Sequence, residues 1–149
     1  PLAALGDDMT PQEIQRLFDA YLIMEAQPAL TLTDQQYPQF LTRLKTLQET
    51  RRRNQQQRNK LMAELQRLTS PRAPVRADEA TLKERLTALQ ELESRSAAEL
   101  RKAYSALDEI LDVRQQARFR VFEEQIERRK LDLLMRARQN RPAQKRNQN

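Results

Sequence analysis

The chain contains no cysteine, no histidine and no tryptophan, and only one glycine. Without Cys or His there are no disulfides, no thiol nucleophiles, no zinc sites of the usual ligand set and no His-based triads. One glycine excludes Gly-rich phosphate loops, dinucleotide fingerprints and the primed hairpin turns that need positive φ. Long apolar runs are also missing. The longest lies near Tyr21–Met24, far short of the roughly 18 residues a membrane span needs. Aromatics make up 5% of residues and the mean hydropathy is −0.89, so a thick globular core is not expected. The serines Ser70, Ser94, Ser96 and Ser105 have no His to activate them, and Glu123 and Glu124 are adjacent on a helix and face apart. The sequence reads as a protein that is not an enzyme and carries no cofactor or metal.

What is present is helix-forming. Among 149 residues, 27 Lys+Arg face 21 Asp+Glu, for a net charge of +6, and Leu, Ala, Gln, Glu and Arg abound. Such a chain suits long helices that each bury one narrow stripe. Capping signals divide it. Thr10-Pro11-Gln12-Glu13 is a capping box with Pro at the first helical position, and Pro28 is expected to end the helix that follows. Thr33 with Gln36 opens a second helix, with a kink or a delayed start expected at Pro38, and Pro71 and Pro74 close it. Asp78 opens a third, and Asp112 with Gln115 a fourth. The expected helices span residues 10–27, 33–69, 78–111 and 112–139, forming one all-α domain over 1–139 and a basic disordered tail over 140–149. The chain begins at Pro1, without a methionine or signal peptide, and is read as a processed or truncated form.

Heptad spacing predicts that helices two and three form a long antiparallel hairpin, giving an elongated four-helix protomer. On helix two the series are Tyr37, Leu44, Arg51, Arg58, Leu65 and Phe40, Leu47, Asn54, Leu61, Leu68. On helix three they are Leu86, Glu93, Leu100, Leu107 and Leu82, Leu89, Ser96, Ala103, Ile110. Folding about Pro71–Pro74 sets Leu61 against Leu86, Asn54 against Glu93 and Arg51 against Ser96, so polar interruptions coincide in a hydrophilic waist. Helix four carries Phe119, Phe122, Ile126 and Leu133, plus a second stripe with Val121, Leu131 and Leu134. It is expected to cover the hairpin and to meet a partner copy.

Two short motifs stand out. Leu32-Thr33-Asp34-Gln35-Gln36 reads L-T-x-x-Q, and Leu111-Asp112-Val113-Arg114-Gln115 reads L-D-x-x-Q. Each by itself is a leucine before a capping box. Together they resemble the LTxxQ-motif family of periplasmic stress proteins, the group that includes the Spy and CpxP chaperone-like proteins. The second copy has Asp112 where Thr is usual, and Asp caps as well as Thr does. The stretch Gln116–Gln125 also resembles the family's last helix, and the likeness spans roughly residues 30–135. The resemblance implies an all-α, cradle-like homodimer, exported to the periplasm by a signal peptide since removed. It also implies ATP-independent binding of unfolded or partly folded proteins, or a partnership with an envelope-stress sensor. Relatives that handle metals use His-rich sites, which this chain cannot build.

The densest charge is Arg51-Arg52-Arg53-Asn54-Gln55-Gln56-Gln57-Arg58. Arginine stems offer apolar contact while their heads attract acidic segments, so Arg51, Arg52, Asn54 and Arg58 are the candidate client-binding residues. A plain solvated helix face is the simpler alternative. Nucleic acid is set aside, because acidic residues are interspersed and no zipper follows the basic run. Leu32, Thr33, Gln36, Leu111, Asp112 and Gln115 are read as structural caps. The competing function is a regulatory or structural coiled-coil adaptor that binds one defined protein partner.

Overall fold

In the computed structural model of the chain the backbone is described for residues 9–146 and the side chains for residues 9–139. The fold is all-α: α1 spans Pro11–Leu30, α2 Gln36–Thr69, α3 Glu79–Asp108 and α4 Val113–Arg146, with no strand among the described residues. α4 runs past the expected end at 139, so the segment 140–149 read as a disordered tail is helical as far as Arg146. Residues 147–149 lie outside the described residues. No described helix is long and apolar enough to cross a membrane. The chain divides into two compact units, Pro1–Leu41 with Ile110–Asn149, and Thr42–Glu109.

In the first unit α1 packs against α4. α4 also meets the start of α2, through the contact of Phe119 with Phe40. α1 buries Ile14, Phe18, Leu22, Ala26 and Leu30 at strict four-residue spacing, which follows one of the inclined ridges of a helix surface. α4 answers with Phe119, Ile126, Leu133 and Ala137. Thr10 caps α1, its hydroxyl accepting from the Glu13 N–H at 3.2 Å. Pro28 does not end α1, which continues to Leu30. A Schellman closure completes the helix: the Leu32 N–H donates to the Gln27 carbonyl at 3.0 Å and the Thr31 N–H to that of Pro28 at 3.4 Å. The left-handed residue this closure needs is usually glycine, and here it is Thr31, at φ 53°. For a β-branched residue that is a strained conformation, and the surrounding contacts must hold it.

The second unit is an antiparallel hairpin of most of α2 with α3. Its order is fixed by Arg43 with Glu109 (3.0 Å), Arg53 with Glu99 (3.5 Å) and Arg85 with Glu64 (3.1 Å). One predicted series on α3 holds, and the other holds at Leu100 and Leu107 but not at Leu86 and Glu93. Leu82, Leu89, Ser96 and Ala103 are at least partly covered, but Leu86 and Glu93 are exposed, while Arg85, Leu92 and Glu99 take the inner face. The pairings of Asn54 with Glu93 and Leu61 with Leu86 therefore do not form. Arg51 meets Tyr104, not Ser96. At Leu86, the first of the exposed positions, Arg85 takes the place of the leucine beside it, because a long charged stem covers a seam well while its head pairs with Glu64 at the edge.

Asp78 caps α3, its Oδ1 accepting from the Thr81 N–H at 2.8 Å. Hydrogen bonds from the Thr81 side chain and then its backbone hold the Asp78 carboxyl below its ordinary value. A depressed carboxylate adds stability above its unfolded value and loses it as pH falls through its folded value. The first turn of α3 should therefore fray in acid below the ordinary aspartate range. Amide exchange at Ala80–Leu82 should report this fraying in the native protein, and Asp78→Asn should cap without the pH dependence.

Candidate functional site

The two motifs that looked like separate caps form one device. At the first, the Gln36 N–H donates to Thr33 Oγ1 (3.1 Å) and the Thr33 N–H to Gln36 Oε1 (3.0 Å). At the second, the Gln115 N–H donates to Asp112 Oδ1 (2.8 Å) and the Asp112 N–H to Gln115 Oε1 (3.0 Å). Both are reciprocal capping boxes, as the spacing predicts. The start expected to be delayed at Pro38 lies ahead of it: regular helix begins at Gln36 and Tyr37 already donates to the Thr33 carbonyl, so Pro38 stands in the first turn, where a missing N–H costs little.

The two glutamine amides then bond to each other. Gln36 Nε2 donates to Gln115 Oε1 at 2.9 Å, and Gln115 Nε2 donates to Gln36 Oε1 at 3.0 Å. The second hydrogen of each amide goes to the residue before the other motif's leucine. Gln36 Nε2 reaches the Ile110 carbonyl at 2.9 Å, and Gln115 Nε2 reaches the Thr31 carbonyl at 3.2 Å. Each amide thus uses both donors, and each Oε1 accepts twice, from its own cap and from its partner. Gln115 is buried and Gln36 half-buried, so full satisfaction matters: a buried amide with a missing partner is costly. The strained Thr31 holds its carbonyl at this junction, and Arg118 Nη1 donates to the Thr31 hydroxyl at 2.9 Å.

Apolar packing repeats the same pseudo-symmetry. Leu32 and Leu111, the leading leucines, are both buried. One turn beyond each glutamine stands a phenylalanine, Phe40 and Phe119, both fully buried. Their rings meet edge to face, with centroids 5.4 Å apart and planes at 87°. The repeated pattern is therefore L-x-x-x-Q-x-x-x-F, and its copies are offset by the 79 residues that separate Gln36 from Gln115. Reading each motif only as a local cap missed this junction. The signal was the phenylalanine at the same distance past both glutamines.

The candidate client-binding residues separate into different surroundings. Arg52 and Arg58 are exposed. Arg51 is half-buried; its guanidinium lies over the Tyr104 ring, 5.3 Å from the centroid, and donates to the Tyr104 hydroxyl. That makes it a strut of the hairpin. Asn54 is buried, and its Nδ2 has no hydrogen-bond partner. Beyond it the character of α2 changes. Gln55, Gln56, Gln57, Arg58, Asn59 and Lys60 are all exposed. Helical spacing puts Arg58 on the same side as Arg51 and Leu65, so the inner face of α2 is uncovered at that level. From residue 55 to residue 91 no side chain of the hairpin is fully buried. The buried part of this unit is the end holding Leu44, Leu47, Thr50, Asn54, Leu92, Ala103 and Leu107.

No protein-family model matches the chain, and neither a curated protein nor a solved structure matches it.

The capping oxygens and the glutamine amides should differ in weight. Thr33→Ala or Asp112→Ala should cost about 1 kcal/mol, as for other N-caps. Gln115→Ala should cost more, about 2–4 kcal/mol, because it strands the Gln36 amide, the Thr31 carbonyl and a cap together. Urea unfolding followed by circular dichroism measures both.

Proposed function

We propose that the protein is an ATP-independent, chaperone-like stress protein of the LTxxQ type, acting in the periplasm on unfolded or partly folded clients. The observation that carries this reading is the junction of Gln36 with Gln115. The resemblance rests on two motifs, and a paired motif whose copies complete each other is a more specific feature than two helix caps. The uncovered polar and basic stretch of α2 supports a weakly selective client surface, with Arg58 in water on the side of half-covered Leu61 and Leu65, and Arg52 exposed just before it. Charge would draw acidic segments from a distance, and short apolar contacts would hold them. A hairpin end without fully buried side chains can also adjust to different clients at little cost. Asn54 and Arg51 belong to the scaffold in this reading, and the client-facing cations are Arg52 and Arg58.

The test is suppression of aggregation of several unrelated unfolding proteins, without nucleotide. Arg52→Gln with Arg58→Gln should weaken suppression and flatten its decline between low and physiological salt, where the Debye length falls to roughly 8 Å. Helicity should be unchanged, since both side chains are exposed. Suppression that is intact and equally salt-sensitive would make this stretch a solvated face. A chain inert towards every client, yet binding one protein stoichiometrically, would be an adaptor instead.

A further inference from the structure

The net charge of the chain is concentrated in one place. Between Arg128 and Arg146, the second half of α4, stand eight of the 27 Lys and Arg residues and one of the 21 Asp and Glu, Asp132. That stretch carries +7, and all the rest of the chain carries −1. Two large apolar side chains stand among these cations in water: Leu131 is 54% exposed and Met135 59%. Four residues apart, they share the outer face of the helix with Arg128, three residues before, and Arg138, three residues after. Leu133 and Ala137, which are buried, occupy the opposite side. Part of the charge is answered within the helix, Lys130 by Glu127 at 2.6 Å and Arg128 by Glu124 at 3.4 Å. Arg129, Arg136 and Arg138 are exposed and make no ion pair among the described residues.

We propose that the second half of α4 docks on an anionic lipid bilayer, lying along its surface. A helix that sets exposed apolar side chains among many cations suits a membrane interface. Leu131 and Met135 enter the boundary between headgroups and acyl chains. The stems of Arg128 and Arg138 stay beside them while the guanidiniums reach the phosphate layer, where each can hold two phosphate oxygens at once. No described helix is long and apolar enough to cross a membrane, so the contact is with one surface. With two large apolar side chains on this face, insertion is shallow. Charge supplies most of the attraction, and docking is reversible and needs anionic lipid.

Other polyanions fit these residues less well. Nucleic acid would use the same arginines for its phosphates, but it gains nothing from Leu131 and Met135. No aromatic residue stands between 128 and 146 to stack on a base. An acidic peptide laid along the outer face reaches one row of cations. The potential of a charged plane acts on every cation within a Debye length of roughly 8 Å, so it also draws on Arg129 and Arg136 along the flank.

Co-sedimentation of the full chain with vesicles tests this, and circular dichroism checks that each variant is folded. The chain should bind phosphatidylcholine vesicles that contain about one-third phosphatidylglycerol and should not bind pure phosphatidylcholine. Binding should be lost near 1 M salt, where the Debye length falls to about 3 Å. Arg129→Gln, Arg136→Gln and Arg138→Gln combined should weaken it by at least about tenfold. Because the chain has no tryptophan, Leu131→Trp supplies a single reporter. Its emission should move to the blue on the anionic vesicles and stay unchanged with the neutral ones. Equal binding to both kinds of vesicle, or to neither, would overturn the proposal, as would undiminished binding by the triple variant. A bound Leu131→Trp chain whose emission stays that of an indole in water would do so too. Binding to a polynucleotide or a polyglutamate chain, with none to vesicles, would give the basic stretch to that partner and overturn the proposal as well.

Discussion

The pair of amides at Gln36 and Gln115 is the point on which the first unit of this protein turns. Four capping groups, two carbonyls and two side-chain amides close one hydrogen-bonded set there. Its amides come from the first turns of α2 and α4 and its other members from the two interhelical connections, residues 31–35 and 109–112, so two loops far apart in sequence are tied together where each helix begins. Hydrogen bonds of this kind contribute little net energy one at a time, but in a site shielded from water the loss of one leaves the others unsatisfied. The edge-to-face contact of Phe40 and Phe119 beneath the amides supplies the apolar floor that keeps water out. Polar lock and aromatic floor are one structure, each useful only if the other is in place.

The consequences run outward along the helices. Fixing the start of α4 beside the end of α1 lets the four-residue stripe of α1 meet the stripe of α4 over their length of overlap. It also accounts for Thr31, which accepts a left-handed backbone where glycine would be easier. The Thr31 carbonyl serves Gln115 and its hydroxyl serves Arg118, contacts that hold the residue in place. In the hairpin a different economy holds. The end away from the connecting turn is packed, and the remainder is held by half-covered leucines and by cross-helix ion pairs such as Arg85 with Glu64. A half-exposed pair of that sort adds little stability compared with packed side chains, so this end is the more easily opened part of its unit.

Much of this was legible in the sequence because caps are local. Thr10, Thr33, Asp78 and Asp112 each announce a helix start within three residues, and all four cap as the sequence indicates. The all-α class follows from the same signals and from the lack of glycine. What was not legible depended on distance. Pro28 was expected to end α1, but an anchored Leu30 and a Schellman closure carried the helix past it. The hairpin seam was assigned by heptad spacing, and Arg85 and Leu92 stand in it where Leu86 and Glu93 were expected. Arg51 looked free for a partner until Tyr104 was brought beneath it by the fold. The glutamine junction needed both motifs to be read as one, and only the matching phenylalanines hinted that they belong together.

The central claim is that Gln36 and Gln115 act as one unit, and a double-mutant cycle measures that directly. Stability would be determined for the native chain, Gln36→Ala, Gln115→Ala and the double variant. If the amides complete each other, the second substitution costs far less once the first is made, with a coupling of about 1–3 kcal/mol, as for residues in one hydrogen-bond network. Costs that simply add, to within about 0.5 kcal/mol, would mean two independent helix caps and would contradict the account.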